Sequence, residues 1–345
     1  MTQETTMWAW QVERLGEPRD VMTLREVPVP EPGPGQLLVR VRSTPANFPD
    51  ALMCRGTYQV RPDLPFTPGV ELCGDVVAVG PERGEGATGV PAFAPGDRVL
   101  GMAVLPHGGF AEHAVLDAAA THRAPDALDD AAAGALMIGY QTAWFALHRR
   151  ARLQPGETLL VHAAAGGVGS AAVQLGRAAG ARVVAVVGGA AKADVARTLG
   201  ADVVVDRTEE DFVEVVKRET GGRGADVVFD PVGGPTYARS TKCVAFEGRI
   251  VVVGFAGGEI QQAGLNHALV KNYSILGLHW GLYQQVDPAA VRECHAELTR
   301  LAEAGAVRPL VSEQVPSADV ADAVQRLADG LTVGRVALVA GGTDD

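Results

Sequence analysis

The chain has 345 residues, enough for two domains of roughly 100–200 residues each. Its apolar fraction of 47% and charged fraction of 21% are those of an ordinary globular protein. The formal charge of −11 argues against nucleic acid or an anionic membrane as partner. No apolar run reaches the ~18 residues of a membrane span, and the polar start lacks a secretory pattern, so we expect a cytoplasmic protein.

The first third of the chain alternates short β-rich segments with Pro and Gly residues. This spacing is typical of antiparallel strands joined by tight turns. The predicted strands are Met7–Val12, Gln36–Arg42, Val70–Val79, Asp97–Met102 and Phe110–Leu116. They predict a mostly antiparallel, barrel-like domain, with a loop over the Gly- and charge-rich segment 82–91.

From about Asp129 the chain alternates strand-length and helix-length segments. The predicted strands are Thr158–Ala163, Arg182–Val187, Asp202–Val205, Ala225–Phe229, Arg249–Val253 and Ser274–Leu278. The predicted helices are Gly167–Ala179, Ala191–Leu199, Glu209–Thr220, Pro235–Cys243 and Leu265–Lys271. Continuous apolar strands between helices are the mark of a parallel sheet covered on both faces, so we expect a six-stranded, doubly wound α/β unit.

The last part of the chain is expected to return to the first domain and complete it. Its predicted elements are the helices Pro288–Ala304 and Ala318–Leu327 and the strand Gly334–Val339. The prediction therefore assigns residues 1–133 and 280–345 to a catalytic domain and residues 134–279 to a dinucleotide-binding domain. We expect the active site in the cleft between them.

A glycine-rich turn follows the first strand of the α/β unit. The strand Leu159–His162 leads into Gly166, Gly167, Val168 and Gly169, and an apolar helix comes next. Glycines at a strand-to-helix turn let backbone N–H groups approach a pyrophosphate at the helix N-terminus. Since strand, turn and helix agree, the motif predicts dinucleotide binding.

The end of the second strand indicates which dinucleotide binds, because NAD enzymes usually place Asp or Glu there. Val187, Gly188 and Gly189 occupy this place instead. The two glycines leave room for a 2′-phosphate, and Lys192 and Arg207 supply positive charge. The sequence therefore favours NADPH. The alternative interpretation of Lys192 is a solvated lysine in the first turn of a helix.

Four motifs together resemble the zinc-independent NADPH:quinone oxidoreductase (zeta-crystallin-like) branch of the medium-chain dehydrogenase/reductase superfamily. They are Val161-His-Ala-Ala-Ala-Gly-Gly-Val-Gly169, Asn47-Phe-Pro-Asp50, Arg55-Gly-Thr-Tyr58 and Pro68-Gly-Val-Glu71. The resemblance covers nearly the whole chain. It implies an α/β protein in which a GroES-like β-barrel catalytic domain accompanies a six-stranded parallel Rossmann domain.

Zinc alcohol dehydrogenases of the same superfamily carry Cys where Asn47 stands and His where Val70 stands. The resemblance therefore implies no catalytic zinc, and the four-cysteine cluster that holds their structural zinc is missing as well. The cysteines of this chain lie far apart, in no metal-site spacing, and are expected to be buried thiols. They are Cys54, Cys73, Cys243 and Cys294.

The same resemblance implies further cofactor contacts. They fall on Thr142, Gly254, Phe255, Leu278, His279, Trp280 and Arg335. The stretch from Leu278 to Trp280 would lie near the nicotinamide, and Arg335 near the pyrophosphate. Structural roles are open for several: Thr142 as a helix-interior residue, His279 and Trp280 packing at an interface, and Arg335 as a surface strand residue.

Without a metal to polarise an isolated carbonyl, the hydride acceptor must be activated by conjugation, as in quinones and enones. Tyr58 follows Asn47 by the spacing that quinone oxidoreductases and enoyl-thioester reductases share, and the resemblance implies that Tyr58 donates a proton. Asn47 would orient Tyr58 or the nicotinamide. A packing role for Tyr58 and a helix cap at Asn47 are equally open. Asp50 completes a polar network or faces solvent.

The sequence thus predicts NADPH-dependent reduction of a small quinone or enone. A 2-enoyl thioester (enoyl-CoA or carrier-protein) reductase is the nearest alternative, and a non-catalytic, crystallin-like or trafficking NADPH-binding protein is another. The edge strand Ser274–Leu278 is short and apolar. Because exposed edges are usually covered or paired, and because the resemblance implies it, we expect a homodimer joined there.

Overall fold

The structure, a computed structural model, describes residues 5–82 and 92–339; the predicted loop at 82–91 lies, except for its first residue, outside the described residues. The chain forms two compact units. The first unit comprises Met1–Met137 and Arg308–Asp345, and the second comprises Ile138–Val307. The chain therefore returns to the first unit at 308 rather than at 280.

Both units contain strands and helices, numbered in chain order. The strands are β1 (Thr6–Val12), β2 (Met22–Pro28), β3 (Gln36–Pro45), β4 (Glu71–Val79), β5 (Arg98–Met102), β6 (His113–Asp117), β7 (His122–Arg123), β8 (Thr158–Val161), β9 (Arg182–Val187), β10 (Val203–Asp206), β11 (Ala225–Asp230), β12 (Val244–Val252), β13 (Ser274–Gly277), β14 (Val311–Val315) and β15 (Arg335–Val339). The helices are α1 (Pro18–Val21), α2 (Phe48–Cys54), α3 (Asp130–Gly134), α4 (Met137–Trp144), α5 (Gly167–Ala178), α6 (Ala190–Thr198), α7 (Phe212–Glu219), α8 (Gly234–Ser240), α9 (Leu265–Lys271), α10 (Trp280–Val286), α11 (Pro288–Glu303) and α12 (Val320–Ala328).

The first unit is a mostly antiparallel β structure, as predicted. Strands β1 and β2 form a hairpin, and a second sheet runs in the order β14-β15-β3-β4-β5-β7, with β6 paired to β3. Alternate apolar residues of β3 and its neighbours, among them Leu37, Val39 and Leu72, are buried against one another. The last strand, β15, pairs antiparallel with β3, so the end of the chain completes this sheet.

The second unit confirms the predicted doubly wound sheet. Its six strands run in the order β10-β9-β8-β11-β12-β13, and each pair is parallel. The order of strands reverses between β8 and β11, which is where open α/β sheets bind ligands at the carboxyl ends of their strands. The glycine-rich turn after β8 lies at this position. Strand β13 stands at one edge of the sheet.

Several elements differ from the prediction for physical reasons. The sequence predicted neither β2 nor β14, since each has only one buried residue and therefore lacks a clear apolar alternation. The unpredicted α10 exposes its apolar Leu282 and Val286. It packs on α11 within the second unit. The chain therefore returns to the first unit later in the sequence than predicted. No helix in the described part of the chain combines the length and hydrophobicity needed to cross a membrane.

Candidate functional site

The glycine-rich turn joins β8 to α5 in the second unit. Gly166 is the N-cap residue of α5, and Gly167, Val168 and Gly169 form its first turn without a side-chain cap. A Cβ on Gly169 would collide with the carbonyl oxygen of Ala163 and lie 2.8 Å from that carbonyl carbon. Only glycine fits there, and the uncapped N–H groups of this turn are suited to bind a phosphate group.

A second pair of glycines follows β9. The guanidinium of Arg207 covers Gly188 so closely that a Cβ on this glycine would lie 3.1 to 3.3 Å from three of its atoms. Gly189 has a φ of +93° and is the N-cap residue of α6. Lys192 stands half-buried in the first turn of that helix. The structure therefore places Arg207 against Gly188, and it places Lys192 in the first turn of the helix that begins after Gly189.

Asp206, at the end of β10, is a residue of this site that the sequence analysis missed. Its Oδ1 accepts hydrogen bonds from the backbone N of Gly189 at 2.9 Å and from the backbone N and Oγ1 of Thr208 at 3.0 and 2.7 Å. The N–H of Gly189, the two donors of Thr208 and the charge of Arg207 all lower the pKa of Asp206. A carboxylate thus lies directly beside the proposed 2′-phosphate site.

Trp280, one of the residues expected near the nicotinamide, is buried in the second unit. The Nε1 of the buried Trp280 donates to Oε1 of the buried Gln141 at 3.1 Å. Gln141, which the sequence analysis did not consider, precedes Thr142 in α4. Thr142 is buried as well.

The other predicted contacts of this unit follow β12 and β13. The N of Leu278 donates to the carbonyl oxygen of Val252 at 3.1 Å, which extends β13 by one residue. His279 is exposed and is the N-cap residue of α10. Gly254 and Phe255 follow β12, and Phe255 is exposed. All four residues lie after the carboxyl ends of neighbouring parallel strands.

A polar cluster lies in the first unit, and we call it the barrel cluster: Asn47, Asp50, Glu71 and Arg335, all buried. The Nη2 of Arg335 donates to Oδ1 of Asn47 at 2.7 Å and to Oε1 of Glu71. The Nδ2 of Asn47 donates to the same Glu71 oxygen at 3.0 Å and to the carbonyl oxygen of Pro45 at 3.1 Å. Both ends of the Asn47 amide are therefore held in place.

Asp50 fixes the start of α2 within the barrel cluster. Its Oδ2 accepts from the backbone N of Asn47 at 2.8 Å, and its Oδ1 accepts from the N of Gly69 at 2.9 Å and of Val70 at 3.2 Å. Complete burial raises the pKa of Asp50 to about 7, and the charge of Glu71 makes a smaller contribution in the same direction. The three backbone N–H donors lower this pKa but do not offset the burial. Of the two roles left open, the structure shows the polar network.

Arg335 does not stand on a surface strand, as one interpretation of the sequence held. Its side chain is only 9% exposed and forms an ion pair with the fully buried Glu71. Its Nε is buried and has no hydrogen-bond partner among the described residues. The guanidinium that was expected near the pyrophosphate thus orients Asn47 and neutralises Glu71.

Tyr58 lies in the segment after α2 and is half-buried. Burial raises the pKa of its phenol, and the charge of Asp50 raises it further. Tyr58 therefore keeps its proton at neutral pH. This is the form that a proton donor requires.

The cysteines are buried and not bonded to one another, as expected. Burial raises the pKa of Cys54, Cys73 and Cys243 to about 12. Such thiols stay protonated at neutral pH.

Two family descriptions match the chain. "Alcohol dehydrogenase GroES-like domain" matches residues 33–126, and "Zinc-binding dehydrogenase" matches residues 167–297. The first lies in the barrel-like unit and the second in the parallel α/β unit. The matches therefore agree with the architecture described above.

Individual relatives extend the likeness over almost the whole chain. A quinone oxidoreductase-like protein 2 homolog of Nematostella vectensis is 39% identical over 311 residues, which are 89% of this chain and 82% of that protein. A quinone oxidoreductase of Pseudomonas syringae has a TM-score of 0.85 at 31% identity, covering 96% of this chain and 99% of that one. A mycobacterial protein in complex with NADPH has a TM-score of 0.87 at 31% identity, covering 96% and 100%. The chain belongs to the quinone oxidoreductase branch of the medium-chain dehydrogenase/reductase superfamily.

Proposed function

We propose that this protein uses NADPH to reduce quinones or other conjugated carbonyl compounds by hydride transfer without a metal. The observation that carries the proposal is the position of Arg207 over Gly188, at the end of the strand that follows the glycine-rich turn. In this position a guanidinium can bind the 2′-phosphate that distinguishes NADPH from NADH. A relative of the same fold has been solved with NADPH bound.

The residues of the second unit fit NADPH. The turn from Gly166 to Gly169 would hold the pyrophosphate, and Lys192 would join Arg207 at the 2′-phosphate. The stretch from Leu278 to Trp280 would contact the nicotinamide, and Thr142, Gly254 and Phe255 would make further contacts with the nucleotide. NADPH supplies the hydride when it is bound.

The barrel cluster supports a reaction without zinc. Asn47 stands where zinc-dependent relatives have cysteine, and both ends of its amide are bound within the cluster. Val70 stands where they have histidine, and its side chain is buried and apolar. The acceptor must then be activated by its own conjugation, which quinones and enones provide. Metal analysis that finds one zinc ion per chain would contradict this part of the proposal.

Within this scheme Tyr58 donates a proton to the reduced acceptor, since burial keeps its phenol protonated. Asn47 has no free amide hydrogen within the cluster, so we assign it to positioning the start of α2 rather than to binding substrate. Replacing a general acid costs about 10²- to 10⁴-fold in rate. Tyr58→Phe should therefore slow the reduction of enones by such a factor and quinones much less, because a quinol anion can take its proton from water.

The control for Tyr58→Phe is Tyr283→Phe, which removes a hydroxyl from a ring that packs against Phe145 in the second unit. The control should leave all rates unchanged. Neither variant should change the dissociation constant of NADPH. If Tyr58→Phe leaves the rate of enone reduction unchanged, Tyr58 is not the proton donor and has only a packing role.

One observation favours a second candidate, reduction of 2-enoyl thioesters. The chain is 34% identical over 334 residues to a mycocerosic acid synthase-like polyketide synthase of Mycobacterium tuberculosis, covering 94% of this chain but 15% of that protein. Oxidation of NADPH should therefore be measured with 9,10-phenanthrenequinone, 1,4-benzoquinone and crotonyl-coenzyme A. Turnover of the quinones supports the main proposal, turnover of the thioester alone supports the second, and none would indicate a non-catalytic NADPH-binding protein.

We also propose a homodimer formed through β13. This strand has a partner on one side only, β12, so its other edge is free for pairing within the described sheet. The adjoining helix α9 has no buried residue and exposes Leu265, Leu269 and Val270 by 72% to 76%. A second copy related by a two-fold axis would pair with the edge and cover this apolar helix.

A further inference from the structure

We infer that Asp206 is the positioning residue that builds the 2′-phosphate site and, at the same time, limits how tightly this site binds NADPH. The inference rests on the proposed function. Asp206 is aligned with Val187, the residue before the glycine pair, because β9 and β10 pair in parallel register. Its carboxylate reaches the start of the neighbouring turn, where Oδ1 accepts from the backbone N of Gly189 at 2.9 Å.

The first part of the inference concerns the shape of the site. Gly189 has a φ of +93°, a conformation that only glycine adopts readily, and the bond from its N–H to Oδ1 of Asp206 fixes this turn. The same oxygen accepts both donors of Thr208. Arg207 stands in the chain between Asp206 and Thr208, and its own N donates to the carbonyl oxygen of Val187 at 2.9 Å. Asp206 thus holds the backbone that carries the Arg207 guanidinium over Gly188.

The second part concerns charge. The N–H of Gly189 lies at the N-terminus of α6, where such donors can bind an anion. In this structure it donates to the carboxylate of Asp206 instead. A phosphate bound against Gly188 and Arg207 would therefore have the carboxylate of Asp206 as a close neighbour. Like charges repel, although water and salt weaken the repulsion at this half-exposed position. The acceptor geometry of Asp206 favours NADPH binding, whereas its negative charge opposes it.

These two effects can be separated by two substitutions. Asp206→Asn keeps an amide oxygen that can still accept from the N of Gly189 and from one donor of Thr208, but it removes the charge. Asp206→Ala removes both. We expect Asp206→Asn to lower the dissociation constant of NADPH about three-fold. We expect Asp206→Ala to raise it about ten-fold, since the turn and Arg207 lose their anchor.

The experiment measures the dissociation constants of NADPH, NADH and 2′,5′-ADP for the wild type and both variants by titration calorimetry, with the melting temperature of each as a check on folding. NADPH and 2′,5′-ADP should change in parallel, and NADH by less than about two-fold, because NADH lacks the phosphate. Asp194→Asn, an exposed carboxylate in α6, is the matched control and should change none of them.

The inference is overturned if Asp206→Asn weakens NADPH as much as Asp206→Ala does, since the charge would then be needed. It is also overturned if Asp206→Ala binds like the wild type, or if NADPH and NADH shift equally in both variants. The wild type tests the proposed function separately. Equal affinity of the wild-type protein for NADPH and NADH would refute the assignment of the cofactor, whatever the variants do.

Discussion

Removing the guanidinium of Arg335 should destabilise the first unit strongly. Arg335→Met keeps a long apolar side chain but leaves the fully buried Glu71 without its cationic partner. Breaking a buried ion pair by removing one member costs about 3–5 kcal/mol, because the other charge stays in a medium that does not solvate it. For a unit of this size each kcal/mol lowers the melting temperature by about 2–4 °C, so the expected decrease is about 6–20 °C.

The assay is thermal and urea unfolding of the full chain, and two further variants make it specific. Arg25→Met breaks an exposed ion pair with Glu13 in the same unit and should cost less than about 1 kcal/mol. Glu71→Gln added to Arg335→Met removes the remaining charge and should recover at least about half of the lost stability. Each kcal/mol corresponds to ~2 °C or more in melting temperature. The reasoning about Glu71 would be refuted if the melting temperatures of Arg335→Met and Arg25→Met differed by less than ~2 °C.

Three other predictions use different parts of the molecule. Lys192→Ala should raise the KM for NADPH about ten-fold and leave that for NADH unchanged; an equal loss with both cofactors would contradict its place at the 2′-phosphate. The folded-state pKa of Asp50, about 7, lies above its ordinary value of 3.8, so the folded chain holds the extra proton between these values. The unfolding free energy of the wild type, measured relative to that of Asp50→Asn, should therefore fall as the pH rises from 5 to 7. If the difference in unfolding free energy between the two proteins does not depend on pH, the raised pKa of Asp50 is excluded. Leu269→Asp should convert a dimer into a monomer in sedimentation at micromolar concentration, whereas a wild type that is itself monomeric would rule out the β13 interface.

The sequence predicted the second unit well because its signals are local. Each apolar strand is continuous, and the turn from Gly166 to Gly169 stands between a strand and an apolar helix. The predicted helix Leu265–Lys271 agrees with α9 to the residue. Arg207 could also be assigned from its place after the third strand. All these patterns extend over fewer than twenty residues, so neighbouring side chains are sufficient to define them.

The residues that were missed or misplaced depend on contacts between distant parts of the chain. Asp206 acquires its role only through the parallel pairing of β9 and β10, which sets it opposite Val187. Arg335 reaches Glu71 across 264 residues and Asn47 across 288, and no local pattern reports such contacts. The hairpin strand β2 was missed because it has one buried residue in seven.

The bond between Arg335 and Glu71 also has a consequence for how the protein is made and divided. During synthesis Glu71 emerges from the ribosome 264 residues before Arg335, so the barrel cluster can close only after the whole second unit has been translated. A fragment that ends at Met137 would lack both β15 and this guanidinium. The second unit is the single contiguous segment 138–307, whereas a fragment that contains only the first unit needs residue 137 to be joined to residue 308.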